Sequence, residues 1–178
     1  MSYKHIEVKP VSGAIGAEIH GVDLSQENIE QPVVDEIRQA LLDYLVIFFH
    51  GQAMDDDVLV RFGRRFGELA ALPPHRQVPG SYPELLVIDK KPEDTMVFGW
   101  EWHSDTSHLE TPSLGSILYA KIVPPSGGDT LFANQYLAYD ALSDGMKSML
   151  DGLVAVHANG RILRTLAEGE IPPPGTES

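Results

Sequence analysis

The most informative stretch of the sequence, residues 102–134, reads "WHSDTSHLETPSLGSILYAKIVPPSGGDTLFAN". Near its start lie a histidine and an aspartate two positions apart, His103 and Asp105. Side chains alternate across a strand with period 2, so on an extended segment these two point to the same side. An imidazole nitrogen and a carboxylate oxygen facing one cation are two of the three ligands of a 2-His-1-carboxylate Fe(II) site. Taken alone, the pair is a weak signal, because His-x-Asp is common by chance and most such pairs are ordinary polar residues.

The same stretch contains His108, a local candidate for the third ligand. It follows His103 by five positions, an odd offset, so on a continuing strand it faces away from the pair. We therefore interpret His108 as a capping or substrate-facing residue. A zinc hydrolase built on His103 and Asp105 is the least favoured alternative, because the helical His-Glu-x-x-His arrangement is absent and no general base is evident.

Composition limits the partners and the ligand types. The 178 residues are enough for one domain with a sizeable core. A formal net charge of −13 argues against a nucleic acid or an anionic membrane as the general partner. The absence of cysteine leaves only nitrogen and oxygen ligands for a metal. No apolar run approaches a membrane span and no signal peptide is recognisable, so we expect a cytoplasmic protein.

The hydrophobic pattern predicts short strands mixed with helices. Residues 6–20 alternate around glycines as in a hairpin, residues 31–44 form an amphipathic helix, and "LVIFF" reads as a strand buried on both faces. The absence of regular βαβ alternation predicts a mainly antiparallel β structure with helices on one side. Further helices are predicted within 55–67, 134–143 and 143–152, the last two with Asn134 and Ser143 as N-caps. Further strands are predicted at 84–89, 115–123, 130–134 and 153–158.

The quoted stretch closely resembles the central segment of the taurine dioxygenase (TauD/TfdA-like) family of Fe(II)- and 2-oxoglutarate-dependent dioxygenases. That family shows Trp-His-x-Asp, then Thr-Pro, an alternating strand and Gly-Gly-Asp-Thr. Similar blocks extend over roughly residues 6–157 in the same order, among them "IGAEIHGVDL", "ALLDYLVIFFHGQ", "RFGRRFGEL" and "AYDALSDGMKSMLDGLVAVH". Ordered agreement over this length is far more specific than the His-x-Asp pair.

The resemblance implies a double-stranded β-helix, a cupin-like jelly-roll core with flanking helices. It implies that His103 and Asp105 are iron ligands and that Thr130 hydrogen-bonds a carboxylate of the cosubstrate 2-oxoglutarate. The implied reaction consumes O2 and 2-oxoglutarate, releases succinate and CO2, and hydroxylates a small organic acid. Family members often form oligomers, so the resemblance is compatible with a homo-oligomer.

Two family elements have no counterpart in the 178 residues. The family's second iron histidine and an arginine that pairs with 2-oxoglutarate come far downstream of His-x-Asp. We therefore expect residues 1–165 to be the N-terminal and central part of a single dioxygenase domain, and 166–178 to be a linker-like tail. The jelly-roll would be incomplete, and the chain alone inactive. The competing hypothesis is a truncated or degenerate jelly-roll that binds a small acid or a partner without redox chemistry.

The taurine-specific pattern is broken at three positions. Leu72, His75 and Gly99 stand where the family's taurine enzymes place histidine, tyrosine and asparagine. We therefore expect a different small acid, such as another sulfonate, an alkyl sulfate ester or an aryloxy acid. The candidate residues of the substrate pocket are His75, Arg76, Trp100 and His108.

Overall fold

The computed structural model describes residues 3–72, 77–91, 93, 99 and 102–157. The chain divides into two compact units, and each is described by itself below. The first unit comprises residues 1–69 and 119–151, and the second comprises residues 70–118 and 152–178.

A three-stranded sheet forms the centre of the first unit. Its strands are β1 (Glu7–Pro10), β2 (Ala17–His20) and β3 (Ile47–Phe48), and they lie in that order across the sheet. Strands β1 and β2 pair in antiparallel fashion, which confirms the predicted hairpin. Gly16, with a φ of +93°, turns the chain into β2, and its carbonyl accepts a hydrogen bond from the Val11 N–H.

The first helix, α1 (Gln31–Tyr44), confirms the predicted amphipathic helix. Its buried side chains are Val34, Ile37 and Ala40, spaced three residues apart so that they share one face. The helix ends at Leu45, which adopts the left-handed conformation with a φ of 68° and donates its N–H to a carbonyl of the last turn. Helix α1 therefore presents an apolar stripe to the sheet.

The second helix, α2 (Asp56–Gly63), begins where the sequence predicts it. The Asp55 carboxylate caps it by accepting from the Val58 N–H at 2.8 Å. The helix ends earlier than the predicted stop at Gly67, because residues 64–66 tighten into a turn. There the Arg65 N–H bonds to the Phe62 carbonyl, three residues back instead of four.

The hydrophobic core of the first unit lies between the sheet and these two helices. Phe62 of α2 makes edge-to-face contacts with Phe49 and Phe66, at centroid distances of 6.2 and 5.2 Å. Burial of each large apolar side chain contributes about 1.5–3 kcal/mol. The core cluster consists of Ile6, Ile19, Leu24, Ile29, Val34, Ile37, Ala40 and Phe62.

Two short helices complete the first unit, α3 (Gln135–Asp140) and α4 (Asp144–Leu150). Both predicted caps are present. The Asn134 side chain accepts from the Leu137 N–H at 3.1 Å, and the Ser143 hydroxyl accepts from the Met146 N–H at 3.2 Å. Local capping chemistry therefore sets where each of these helices begins.

Several predicted strands are wrong. Strand β3 covers only two residues of "LVIFF", and Phe48 is 37% exposed, so this segment is not buried on both faces. The segments 84–89, 115–123, 130–134 and 153–157 carry apolar residues at strand spacing but are irregular, and residue 158 lies outside the described part. A strand requires a neighbour that pairs with its backbone N–H and C=O groups, and no ladder forms along these segments. Most of their apolar side chains face solvent instead, with Ile122 94% exposed and Val156 93% exposed.

The described residues thus form a small mixed sheet with helices, which is compatible with part of a jelly-roll core but does not show a complete double-stranded β-helix. The expectation of a mainly antiparallel sheet is also only partly met, because β2 and β3 are parallel. Along the described ranges, every helix is too short or too polar to cross a lipid bilayer. The predicted tail, residues 166–178, lies outside the described residues.

Candidate metal centre

His103 and Asp105 lie side by side in the second unit. The Nε2 atom of His103 is 3.4 Å from Oδ1 of Asp105. The strand predicted to carry them is not formed, since residues 102–104 are irregular and residues 105–108 make a turn. Thr106, at the second position of that turn, has a φ of 54°. A turn, and not strand alternation, therefore brings the two side chains together.

The separation of the two atoms suits ligation of one cation. Two ligand atoms that are each about 2.1 Å from a metal ion lie about 3.0 Å apart at a right angle and about 3.4 Å apart at a tetrahedral angle. The observed 3.4 Å is within this range. The side chains of His103 and Asp105 are 54% and 59% exposed, so as an ion pair in water they would contribute little to stability. The close approach of the two side chains is therefore better explained by binding of a cation than by a contribution to the stability of the fold.

Among the described residues, the set of metal-binding donors at this place is incomplete. In the part of the chain that the structure describes, no cluster of three or more His, Asp or Glu side chains could hold a metal ion. His103 and Asp105 together provide one neutral nitrogen and one anionic oxygen, which are ligand types suited to a divalent transition metal. The residues present therefore fit two of the three protein positions of a facial triad.

Ser116 and Gly99 lie next to the side chains of His103 and Asp105. The Ser116 contact was not predicted from the sequence. The Ser116 hydroxyl donates to Oδ2 of Asp105 at 2.9 Å. No periodicity links positions eleven apart in an irregular loop, so the sequence carried no signal for this contact. On the other side, Gly99 has a φ of +69°, and a Cβ at that position would lie 3.3 Å from Cε1 of His103. A side chain at residue 99 would therefore contact the imidazole.

Thr130, the predicted cosubstrate residue, belongs to the first unit, whereas His103 and Asp105 belong to the second. It follows a turn in which Gly127 and Gly128 have φ values of 76° and 75°, a conformation that glycine adopts without strain. Thr130 is exposed, so its hydroxyl is accessible to a ligand.

The predicted pocket residues are described only in part. His108 is exposed at the end of the 105–108 turn. Trp102, which directly precedes the His-x-Asp pair, is 70% exposed and so does not pack in a core. His75, Arg76 and Trp100 lie outside the described residues.

Comparison with known families gives a match along most of the chain. The family model described as "Taurine catabolism dioxygenase TauD, TfdA family" matches residues 7–177. This range includes the His-x-Asp pair and the Gly-Gly-Asp-Thr turn.

Individual relatives agree with the family match. The chain is 38% identical over 155 residues to an alpha-ketoglutarate-dependent sulfate ester dioxygenase of Pseudomonas putida, covering 86% of this chain and 50% of that protein. It is 33% identical over 175 residues to an alpha-ketoglutarate-dependent 2,4-dichlorophenoxyacetate dioxygenase of Cupriavidus pinatubonensis, covering 89% and 61%. A crystal structure of a taurine dioxygenase from Burkholderia xenovorans superposes with a TM-score of 0.72 at 37% identity, covering 84% and 52%. The chain spans about half the length of the first and third of these proteins.

Proposed function

We propose, from the premise that the chain belongs to the TauD/TfdA family of dioxygenases, that it contributes the His-x-Asp part of an Fe(II) centre. In the proposed reaction 2-oxoglutarate, O2 and a small organic acid are converted to succinate, CO2 and the hydroxylated acid. The relatives from Pseudomonas putida and Cupriavidus pinatubonensis are alpha-ketoglutarate-dependent dioxygenases, and alpha-ketoglutarate is another name for 2-oxoglutarate. This agreement supports the reaction class.

The observation that carries the proposal is the 3.4 Å separation between Nε2 of His103 and Oδ1 of Asp105. A carboxylate beside an imidazole would otherwise be an exposed ion pair of small energetic value. At the spacing of two metal ligands, the same pair can offer a neutral donor and a negative charge to one Fe(II) ion. His103 would bind through Nε2, and Asp105 through Oδ1.

When bound, Fe(II) would supply the redox chemistry by which O2 oxidises both 2-oxoglutarate and the substrate. The protein's own groups bind and orient the reactants. We assign to Thr130 a hydrogen bond from its hydroxyl to a carboxylate of 2-oxoglutarate, supported by its exposure after the Gly127–Gly128 turn. His103, Asp105 and Thr130 do not supply the third iron ligand of the triad or a cationic partner for 2-oxoglutarate. Other residues have to provide both.

We propose that the substrate is a sulfate ester, a sulfonate or an aryloxy acid. The Pseudomonas putida relative acts on a sulfate ester and the Cupriavidus pinatubonensis relative on 2,4-dichlorophenoxyacetate, and both substrates are anions with an apolar part. Three of the candidate pocket residues, His75, Arg76 and His108, would favour an anion. Trp100 would contact its apolar part.

The test is succinate formation by the protein as its gene encodes it. The purified protein is loaded with Fe(II) and 2-oxoglutarate without O2, where a weak visible charge-transfer band is expected. It is then exposed to O2 with an alkyl sulfate, an alkyl sulfonate or an aryloxyacetate, and succinate is quantified. We expect succinate well above the no-substrate control with at least one of these acids.

Matched variants show whether the centre is responsible. His103→Ala and Asp105→Ala should abolish the visible band and the succinate, whereas His5→Ala removes an exposed imidazole from the first unit and should change neither. Tight zinc binding without succinate from any acid would overturn the proposal in favour of a jelly-roll that binds an acid without redox chemistry. Wild-type succinate formation by His103→Ala would show that the centre lies elsewhere.

A further inference from the structure

The Asp105 carboxylate has different partners at its two oxygens. Oδ1 lies 3.4 Å from Nε2 of His103, and Oδ2 accepts a hydrogen bond from the Ser116 hydroxyl at 2.9 Å. We propose that Ser116 is a positioning residue, which holds Asp105 so that one oxygen stays beside His103 for the metal ion. This inference rests on the proposed function, because it assigns a purpose to Ser116 only if Asp105 is a ligand.

The orientation of the Asp105 carboxylate depends on a hydrogen-bond partner such as Ser116. Its residue begins a turn and its side chain is 59% exposed, so packing does not fix its orientation. The carboxylate torsion of an aspartate is broad and has no sharp rotamer preference. Without a partner, the carboxylate would sample orientations in which neither oxygen faces His103. A hydrogen bond to Oδ2 selects the orientation in which Oδ1 does.

The backbone around Asp105 is held by the same loop. Thr106 has a φ of 54°, which is unfavourable for a β-branched residue and persists only where neighbouring contacts hold it. Its hydroxyl accepts from the Ser113 N–H at 2.9 Å, and its carbonyl accepts from the Leu109 N–H at 2.9 Å. Residues 106–113 therefore fold back on the turn, and Ser116 follows within reach of Asp105.

A hydroxyl suits this position chemically. Ser116 can donate one hydrogen bond to the carboxylate without neutralising its charge, whereas a lysine or arginine would compete with the metal ion for the anion. Hydrogen bonds to a metal-ligating carboxylate orient it, and loss of such a partner typically costs about 10–100-fold in metal affinity. We expect a loss of this size when the Ser116 hydroxyl is removed.

The experiment measures Mn(II) affinity of the protein as its gene encodes it, by the decrease of the free Mn(II) electron paramagnetic resonance signal. Ser116→Ala should raise the Kd by about tenfold or more, and Ser116→Thr, which keeps a hydroxyl, should restore much of the affinity. Ser113→Ala is the matched control: Ser113 contributes only its backbone N–H to the Thr106 hydroxyl bond, so the wild-type Kd is expected. Circular dichroism and the thermal midpoint establish that each variant is folded.

The outcomes separate this inference from the proposed function. If His103→Ala and Asp105→Asn lose Mn(II) while Ser116→Ala binds it like the wild type, the positioning role is overturned and the centre stands. A Kd raised equally in Ser116→Ala and Ser113→Ala would also overturn it, because the loop as a whole would then be responsible. If His103→Ala and Asp105→Asn bind Mn(II) with the wild-type Kd, the two residues are not metal ligands and the proposed function is contradicted.

Discussion

Asn134 links helix α3 to the loop before β2. Its Nδ2 atom donates to the main-chain carbonyl of Ala14 at 2.6 Å, across 120 residues of sequence. Its Oδ1 atom meanwhile accepts from the Leu137 N–H and caps α3. One amide side chain thus performs a local and a long-range role within the first unit.

Two substitutions at this position separate these roles. Asn134→Ser keeps an N-cap acceptor but is too short to reach Ala14, so it should lower the free energy of unfolding by about 0.5–1.5 kcal/mol. Asn134→Ala loses the cap as well and should cost about 1 kcal/mol more. Urea unfolding followed by circular dichroism measures both. Equal stability of Asn134→Ser and the wild type would mean that the Ala14 contact contributes nothing.

The Glu36 carboxylate holds the N-terminal segment on α1. It accepts from the backbone N–H groups of Lys4 and His5 at 2.8 Å each, and from that of Ile6 at 3.2 Å. Burial opposes ionisation of Glu36, but the hydrogen bonds from His5, Lys4 and Ile6 outweigh it, and the pKa of Glu36 is lowered. Its folded pKa is therefore below its unfolded value of about 4.3.

The sign of this shift predicts the pH dependence of stability. The contribution of Glu36 is fully present above its unfolded pKa and is lost as the pH falls through the folded pKa. Glu36→Gln should therefore lower the thermal midpoint at pH 7, and the difference from the wild type should shrink below about pH 4. Glu68→Gln, at an exposed residue, controls for the loss of one negative charge. A difference that stays constant from pH 7 to pH 3 would contradict the assignment.

Local features of the fold could be predicted from the sequence, and non-local ones could not. The α1 stripe and the caps at Asn134 and Ser143 depend on residues within one or two turns, and the structure confirms them. Strands such as 115–123 depend on a partner elsewhere in the chain, and apolar alternation does not reveal whether that partner is there. The Ser116 contact with Asp105 was hidden for the same reason, because a loop brings the two together.

Core packing under α1 can be tested with two positions of the same helix. Ile37 is 0% exposed, whereas Leu42 is 54% exposed. Ile37→Ala should lower the free energy of unfolding by about 2–5 kcal/mol, since it leaves a cavity between α1 and the sheet. Leu42→Ala should change it by less than about 0.5 kcal/mol. Similar losses in the two variants, measured by urea unfolding, would mean that α1 does not bury the face described.

The apolar side chains of the unpaired segments predict self-association. Ile122 and Val123 in the first unit are 94% and 69% exposed, and large exposed apolar groups promote aggregation. In the 178-residue chain, Ile122→Lys should reduce the fluorescence of a bound hydrophobic dye and the fraction of large species in size-exclusion chromatography. Val11→Lys, at a 58% exposed position outside these segments, is the control and should have a smaller effect. An equal effect of the two would point to net charge as the cause.

Because Gly99 lies near His103, a side chain at residue 99 is expected to displace the imidazole and so disturb metal binding. A Cβ at residue 99 would lie 3.3 Å from Cε1 of the imidazole, so the ring would have to move by a few tenths of an ångström. Gly99→Ala should therefore weaken Mn(II) binding by about tenfold, the lower end of the range of about 10–100-fold known for disturbed ligand orientation. The Kd for Mn(II) from electron paramagnetic resonance measures this.

Gly80→Ala is the matched control for that substitution. Gly80 belongs to the same unit and has a φ of +81°, close to the +69° of Gly99, so alanine suffers a similar backbone penalty at both positions. Nothing lies within 4 Å of a Cβ at Gly80. We therefore expect both variants to lose stability and only Gly99→Ala to lose Mn(II) affinity. If Gly80→Ala weakened Mn(II) binding as much, backbone strain in the unit, and not contact with the imidazole, would be the cause.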